Sequence, residues 1–203
     1  MNLTIDFQRA LAATADRSTD PLLIVWPAPG KPAACVSFST FVEWRDFVLR
    51  LGLKRAVPEI VAAKFERAQK LHLLAWLDFD LIKAGELVAL TSLELALADR
   101  YGNMVRDKKG RIYFHRLLNY LPKHDHLTDD KVPMIRRCGG SVVDMLTGKR
   151  HPSLAEIRNN LAHGYPFDSL PYGGLLELIR DLIEYAYRDW PIEPQIVPST
   201  PVR

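Results

Sequence analysis

The chain of 203 residues is 48% hydrophobic and 25% charged, proportions that are typical of a globular protein and exclude a disordered or fibrous one. Its 27 Lys and Arg and 24 Asp and Glu give a formal charge of +3, too small by itself to indicate a nucleic-acid-binding protein. The charge is concentrated, however, because residues 101–150 hold 11 Lys and Arg against 5 acidic residues, a local balance of +6. This stretch is either a solvated surface or part of a site for an anionic ligand.

The sequence shows no targeting or membrane segment. Its longest apolar runs, residues 22–26 and 73–77, are far shorter than the roughly 20 residues of a spanning helix, and residues 1–7 do not resemble a signal peptide. We therefore expect a cytoplasmic protein that does not associate with membranes. Cys35 and Cys138 are too few for a disulfide framework, and we expect both to be buried thiols.

The first 55 residues predict a small N-terminal α/β appendage. A short helix is expected at residues 5–15, and a Pro- and Gly-rich turn separates two β-prone segments, the pattern of a hairpin. Thr40 and Glu43 then form a capping-box signature at the start of a short helix that Gly52 ends.

The longest helical pattern covers residues 59–100. Pro58 is suited to a helix start, and the run that follows contains no proline and only one glycine, Gly85. A straight helix of this length would measure about 60 Å, whereas the radius of gyration of a compact chain of this size is only about 17 Å. The run must therefore bend, break near residues 78–85, or protrude.

The rest of the chain also predicts helices. One spans residues 112–121 and is closed by Pro122, and another runs from a cap at residues 128–130 through residue 146, although the glycine pair 139–140 makes its course ambiguous. Ser153 and Glu156 form a second capping box, before a helix that Gly164 ends.

An amphipathic helix over residues 175–190 completes the pattern. The fold class predicted is mostly α, an antiparallel helical bundle over residues 56–190. The appendage at residues 1–55 precedes it and a Pro-rich tail at residues 191–203 follows it. We expect Trp26, Trp44 and Trp76 to lie in the core.

Residues 156–165 concentrate chemically useful side chains after the second capping box. Arg158 and His163 are five residues apart, which places them about 140° from each other around a helix axis. One rigid helix cannot aim both at a single atom. Either its last turn is distorted or a second copy of the helix completes the site, so the spacing indicates a dimer.

This segment resembles a known family. Arg158-x-x-x-x-His163, with Asn159 after the arginine and Tyr165 two residues after the histidine, is similar to the Arg-x(4–6)-His signature of HEPN domains in its His-x-Tyr variant. Glu94 on the earlier long helix is a second point of resemblance, since HEPN proteins carry an acidic or polar residue that faces the motif. The likeness covers residues 59–190 and leaves residues 1–55 without a counterpart.

The resemblance implies a homodimeric HEPN-like bundle whose two Arg-His motifs line one cleft, with metal-independent endoribonuclease activity and no cofactor. His163 would deprotonate a ribose 2′-OH, whose attack on phosphorus leaves a 2′,3′-cyclic phosphate. Arg158 would hold the phosphate oxygens, Asn159 would orient the phosphate, and Glu94 would fix the arginine or the imidazole. Family members act as toxins or in phage defence, and Tyr165 is a candidate for nucleotidylation by a cognate antitoxin of nucleotidyltransferase type; other antitoxins are an alternative.

The basic segment is the predicted RNA-binding surface, which we expect to flank the cleft and to attract phosphodiesters in a salt-dependent way. Its candidate residues are Lys108, Lys109, Arg111, Arg136, Arg137, Lys149 and Arg150. The cluster His124-Asp125-His126 has metal-ligand residue types, but nothing nearby completes a tetrahedral set, so we expect no metal site.

Each motif also has a purely structural interpretation. Arg158 could pair with Glu156 or Glu184 on the surface, His163 could interact with the helix dipole, and Tyr165 could pack in a turn. Glu94 could be an ordinary exposed helix residue. The corresponding alternatives for the protein are a non-catalytic HEPN-like module that binds RNA or a nucleotide for a partner, and a structural dimerisation bundle.

Overall fold

The computed structural model describes residues 17–164 and 170–190. The expected helix at residues 5–15, Tyr165 and the Pro-rich tail lie outside these residues. In chain order the elements are β1 (Leu22–Ala28), β2 (Lys31–Phe38), α1 (Phe41–Arg50), α2 (Glu59–Leu74), α3 (Leu81–Val105), α4 (Phe114–His124), a 3-10 turn (Asp129–Lys131), α5 (Pro133–Cys138), α6 (Val142–Thr147), α7 (Leu154–His163) and α8 (Leu175–Ala186). The predicted fold class, mostly α with a small N-terminal α/β part, is confirmed.

The N-terminal strands form an antiparallel hairpin. β1 pairs with β2 from Leu22 opposite Phe38 to Ala28 opposite Lys31, and the chain turns at Gly30, whose φ is 70°. Side chains alternate between the two faces of a strand, so Ile24 points inward and is buried. The expected burial of Cys35 is wrong, because it lies on the outward face of β2 and is exposed, whereas Cys138 is buried as expected.

Helix α1 joins this hairpin to the bundle. Its capping box is formed as predicted, with the Thr40 side chain accepting from the Glu43 N–H and the Glu43 carboxylate accepting from the Thr40 N–H. Trp44 is fully buried and donates from Nε1 to the His72 carbonyl at 2.9 Å. The three tryptophans expected in the core are all buried there, and hairpin and helices share one hydrophobic cluster.

The long helical run breaks at residues 75–80, close to the expected place, and α2 and α3 fold back on each other. Gly85 lies where they cross, and a Cβ atom at this position would come within 2.5 Å of His72 Nδ1. The lone glycine of the run therefore permits the buried His72 ring to pack against the α3 backbone.

The buried His72 makes stability depend on pH. Burial lowers the pKa of its imidazole to about 4, although Nδ1–H donates to the Ala68 carbonyl at 2.9 Å. The unfolded chain, whose histidine pKa is about 6.5, binds the proton more readily than the folded chain between these two values. The free energy of unfolding should therefore be highest above about pH 6.5 and fall towards pH 4, by on the order of 3 kcal/mol from this residue.

Urea unfolding across this pH range checks the expectation, with the variant His72→Gln as the comparison. Glutamine does not titrate, so the variant should lose the part of the slope between about pH 6.5 and 4. An unchanged slope in the variant would show that other groups cause the acid sensitivity.

The segment after α3 differs from the prediction. Helix α4 continues past Pro122 to His124, since a proline in the last turn removes only one backbone hydrogen bond. The single helix predicted up to residue 146 is instead α5 and α6, because Gly139 and Gly140 adopt φ values of 80° and 97° that end a helix. Asp129 caps α6 by accepting from the N–H groups of its first two residues.

The last two helices follow the prediction more closely. The Ser153 and Glu156 capping box starts α7, and Gly164 ends it in the left-handed conformation with φ 61°. Helix α8 is buried along its whole length but ends at Ala186, four residues earlier than expected. In the part of the chain that the structure describes, no helix combines the length and apolarity that crossing a membrane requires.

Candidate functional site

Helix α7 packs on the middle of α3 and presents the Arg158 side chain to it. Leu154 and Ile157 are fully buried and fix the rotation of α7, so the next residue lies at the edge of the contact. There Arg158 Nη2 lies 2.8 Å from a Glu94 carboxylate oxygen. Each side chain is 29% exposed, which leaves the ion pair accessible from solvent.

Two hydrogen bonds orient the guanidinium of Arg158, but some of its N–H donors have no partner among the described residues. Nη1 donates to Asn159 Oδ1 at 3.1 Å and Nη2 donates to Glu94, while Nε is buried and has no partner among the described residues. A guanidinium has five N–H donors, so further donors remain on the two terminal nitrogens. The arrangement can hold an anion against α7 at the accessible edge of the pair.

The structure does not bring His163 to this pair. His163 is exposed in the last turn of α7, and its ring makes no hydrogen bond within the described part of the chain. The three residues brought together are Glu94, Arg158 and Asn159. The separation expected from the five-residue spacing persists, because α7 stays regular up to Gly164 and its last turn is not distorted towards Arg158.

The two alternative partners of Arg158 are engaged elsewhere. Glu156 accepts from the Ser153 backbone and lies 2.9 Å from His151 Nδ1, and these contacts lower the pKa of its carboxyl to about 2. Glu184 accepts from the Lys54 N–H at 2.6 Å. Of the acidic residues considered from the sequence, Glu94 is therefore the one that Arg158 contacts.

Three of the predicted RNA-binding residues lie on one exposed turn. Lys108, Lys109 and Arg111 follow the end of α3, whose last residue is about 16 Å along the helix axis from Glu94. Asp107 shapes this turn by accepting from the N–H groups of Lys109 and Arg111, each at 2.8 Å. The three cations therefore lie just beyond the C-terminal end of α3, the helix that carries Glu94.

Arg137, one of the predicted RNA-binding residues, forms an ion pair with a buried carboxylate. Its Nη1 and Nη2 donate to the two carboxylate oxygens of Glu177 at 3.0 and 2.8 Å, and Glu177 also accepts from Trp26 and Arg180. Glu177 is buried, so this network connects the hairpin, α5 and α8 inside the fold. The Arg137 side chain is itself 42% exposed, and Glu177 also pairs with Arg180, so Arg137 adds a structural contact to this network from the surface.

The remaining predicted RNA-binding residues lie at two separate positions along the chain. Arg136, Lys149 and Arg150 are exposed, the last two in the turn before α7. Tyr165 lies outside the described residues, so its predicted modification stays a prediction.

Within the His124-Asp125-His126 cluster, Asp125 has a structural role. Asp125 receives two hydrogen bonds from Arg188, at 2.8 and 2.7 Å, and one from the Tyr101 hydroxyl at 2.6 Å. Within residues 17–164 and 170–190 no group of three or more His, Cys, Asp or Glu side chains could hold a metal ion.

The chain was compared with protein-family models, curated proteins and solved structures, and none of the three comparisons finds a match.

Proposed function

We propose that this chain is a HEPN-type, metal-independent RNA endonuclease that acts as a homodimer. The observation that carries the proposal is the ion pair between Arg158 and Glu94, which joins the two separate places where the sequence resembles the family. It holds an arginine with unused donors at an accessible edge, on the same helix that ends in an exposed histidine.

The chemistry uses only side chains of this segment. The neutral His163 imidazole takes the proton of a ribose 2′-OH, and the oxygen attacks the adjacent phosphorus. The bond from phosphorus to the 5′-oxygen of the next nucleotide breaks, that oxygen takes up the proton that the His163 imidazolium releases, and a 2′,3′-cyclic phosphate remains. Arg158 offsets the charge that develops on the non-bridging oxygens, for which its planar set of donors is suited.

A second copy of the chain completes this site. Within one copy His163 points away from Arg158 by about 140° around α7, so no single phosphate can contact both. In a two-fold dimer with the α7 helices adjacent, Arg158 of one protomer lies near His163 of its partner. A symmetric interface of this kind uses the same surface on both copies.

For the biological role we propose only a general class of protein. Cleavage of cellular RNA is the activity of a toxin or of a phage-defence protein in the cytoplasm, and in the case of a toxin the proposed partner is a cognate antitoxin, of nucleotidyltransferase or another type. Tyr165, two residues after His163, is the proposed target if that antitoxin is a nucleotidyltransferase.

Incubating the purified protein with RNA in excess EDTA tests the proposal. We expect cleavage to continue, and we expect the same RNA with 2′-O-methyl riboses to stay intact, since it lacks the attacking hydroxyl. Cleavage that requires Mg²⁺, or that also cuts the methylated strand, would contradict the mechanism.

The second candidate function is binding of RNA without cleavage. It is favoured by the isolation of His163 from the Arg158 pair in a single copy. Intact RNA that is retained with measurable affinity would support it.

A further inference from the structure

Three side-chain rings and one guanidinium form a row along α4 and the residue before it, apart from Arg158 and His163. Tyr113, Arg116, Tyr120 and His124 follow one another at intervals of three or four residues and fall within about 80° around the helix axis. Residues 114, 117, 118 and 121, which fill the core, face another direction. Arg116 and His124 are exposed, whereas Tyr113 and Tyr120 are partly buried. We call this row, together with the neighbouring exposed His115, the stacking strip.

The rings of the stacking strip are held in place by their neighbours. The Tyr120 ring lies between the rings of Tyr101 and His124, with centroids 4.9 and 5.0 Å apart and interplanar angles of 31°. Tyr101 is buried and its hydroxyl is fixed by Asp125. At the outer end of this stack His124 is exposed, so one face of its ring can receive another flat ring.

The other end of the strip combines a ring with a cation. The Arg116 guanidinium carbon lies 5.4 Å from the centroid of the Tyr113 ring, and the His115 ring lies 5.7 Å from it. His115 and Arg116 are exposed. A guanidinium over an aromatic ring forms a flat cationic platform on which a base can stack.

Basic charge surrounds the strip. Residues 106–124 contain six Lys and Arg but only one acidic residue, Asp107. The backbone N–H groups of Arg111 and Lys109, together with the charge of Arg116 and a hydrogen bond from Tyr113, lower the pKa of the Asp107 carboxyl. The same contacts place the basic turn beside the first residues of α4, so the phosphate-attracting and ring-bearing parts form one surface.

We propose that the stacking strip and the adjoining basic turn bind single-stranded RNA, with bases stacked on the strip and phosphates on Lys108, Lys109 and Arg111. Unpaired bases expose faces that aromatic side chains can stack on, whereas the bases of a duplex already stack on each other. The choice of RNA over other polyanions rests on the proposed function. The surface itself rests on the ring and charge geometry of α4.

Binding to a short labelled single-stranded RNA tests the proposal by fluorescence anisotropy. The measurement uses a His163→Ala background, which prevents cleavage. The double substitution Tyr113→Leu and His124→Leu removes two rings, and the matched control Tyr113→Phe and His124→Phe keeps them. We expect the leucine variant to raise Kd by about tenfold or more and the phenylalanine variant to stay within about twofold of the parent protein.

A second arm separates charge from stacking. Replacing Lys108 and Lys109 with alanine should weaken binding and reduce the slope of log K against log salt concentration by about 1.4, since each of the two phosphate contacts contributes about 0.7. Replacing Arg67 and Lys70, exposed cations on α2, should leave binding unchanged. His124→Leu alone, at an exposed position, guards against a folding defect caused by Tyr113→Leu.

The proposal is overturned if the leucine variants bind as tightly as the parent protein, if the phenylalanine and leucine variants weaken equally, or if duplex RNA of the same sequence binds as well as the single strand. Cleavage by the protein with intact His163 is a separate readout. If the protein binds RNA through the strip but never cuts it, the proposed nuclease activity is wrong and the proposed strip still holds. If the protein cuts RNA and substitutions in the strip have no effect, the proposed strip is wrong and the nuclease still holds.

Discussion

Replacing His163 with alanine is expected to remove RNA cleavage, with a rate loss of about 10²- to 10⁴-fold. This is the range that a general base contributes, and among the residues of the Arg-x-x-x-x-His segment the imidazole is the side chain whose chemistry suits a general base. His163 is exposed and has no hydrogen-bond partner in the described part of the chain. The substitution should therefore change the free energy of unfolding by less than about 0.5 kcal/mol.

Initial cleavage rates and urea unfolding of the same protein samples measure the two effects separately. His151→Ala is the matched control, because His151 is also exposed and lies just before α7, where it contacts Glu156. The control should cut RNA at close to the normal rate. If His163→Ala retained most of the activity, histidine would not be the base and the mechanism would be wrong.

Replacing Arg158 with alanine is expected to lower kcat by about 10²- to 10³-fold, the loss that follows removal of a donor to developing charge in a transition state. Lysine at this position keeps the charge but not the planar fork, so Arg158→Lys should recover only part of the rate. The Glu94 pair is one-third exposed, and pairs of this kind contribute about 0–1 kcal/mol to stability. A large loss of rate therefore cannot be attributed to unfolding.

Glu94→Gln distinguishes positioning from direct catalysis at this pair. Glutamine still accepts a hydrogen bond from the Arg158 guanidinium but carries no charge, so kcat should fall less than in Arg158→Ala while KM stays nearly the same. Equal effects on kcat for Arg158→Ala, Arg158→Lys and Glu94→Gln would contradict a role for the guanidinium in the transition state.

The elements with local sequence signals could be predicted. Both capping boxes, the hairpin turn and the αL glycine after α7 depend on residues within a few positions of one another, and each is found in the structure. The break between α2 and α3 followed from a length argument rather than from a local signal. Its position at residues 75–80 was predicted only to within a few residues.

The features that depend on distant residues could not be predicted. Arg137 looks like one more exposed cation until Glu177, 40 residues later, is seen beside it. Cys35 is apolar enough for a core position, yet the strand register turns it outward opposite Val25. The glycines at 139 and 140 were visible in the sequence, but whether they bend or end the helix depended on the Asp129 cap of α6.

Part of the candidate site could be predicted from the sequence. Sequence spacing placed Arg158 and His163 on different faces of α7, and the resemblance pointed to Glu94 as a partner of either. In the structure Glu94, 64 residues earlier, contacts the arginine. The stacking strip was overlooked although its signal, rings and a cation at helical intervals, is present in residues 113–124. The prediction for this region rested on its charges and not on the aromatic residues between them.

The end groups of the RNA fragments test the central claim most directly. Mass spectrometry of fragments made in EDTA should show a 2′,3′-cyclic phosphate at the 3′ end of each upstream fragment and a 5′-hydroxyl on each downstream one. The same ends should be missing from reactions of His163→Ala. Fragments that carry 5′-phosphates and free 3′-hydroxyls would show that water or a metal-bound hydroxide attacks instead of the ribose, and would contradict the account.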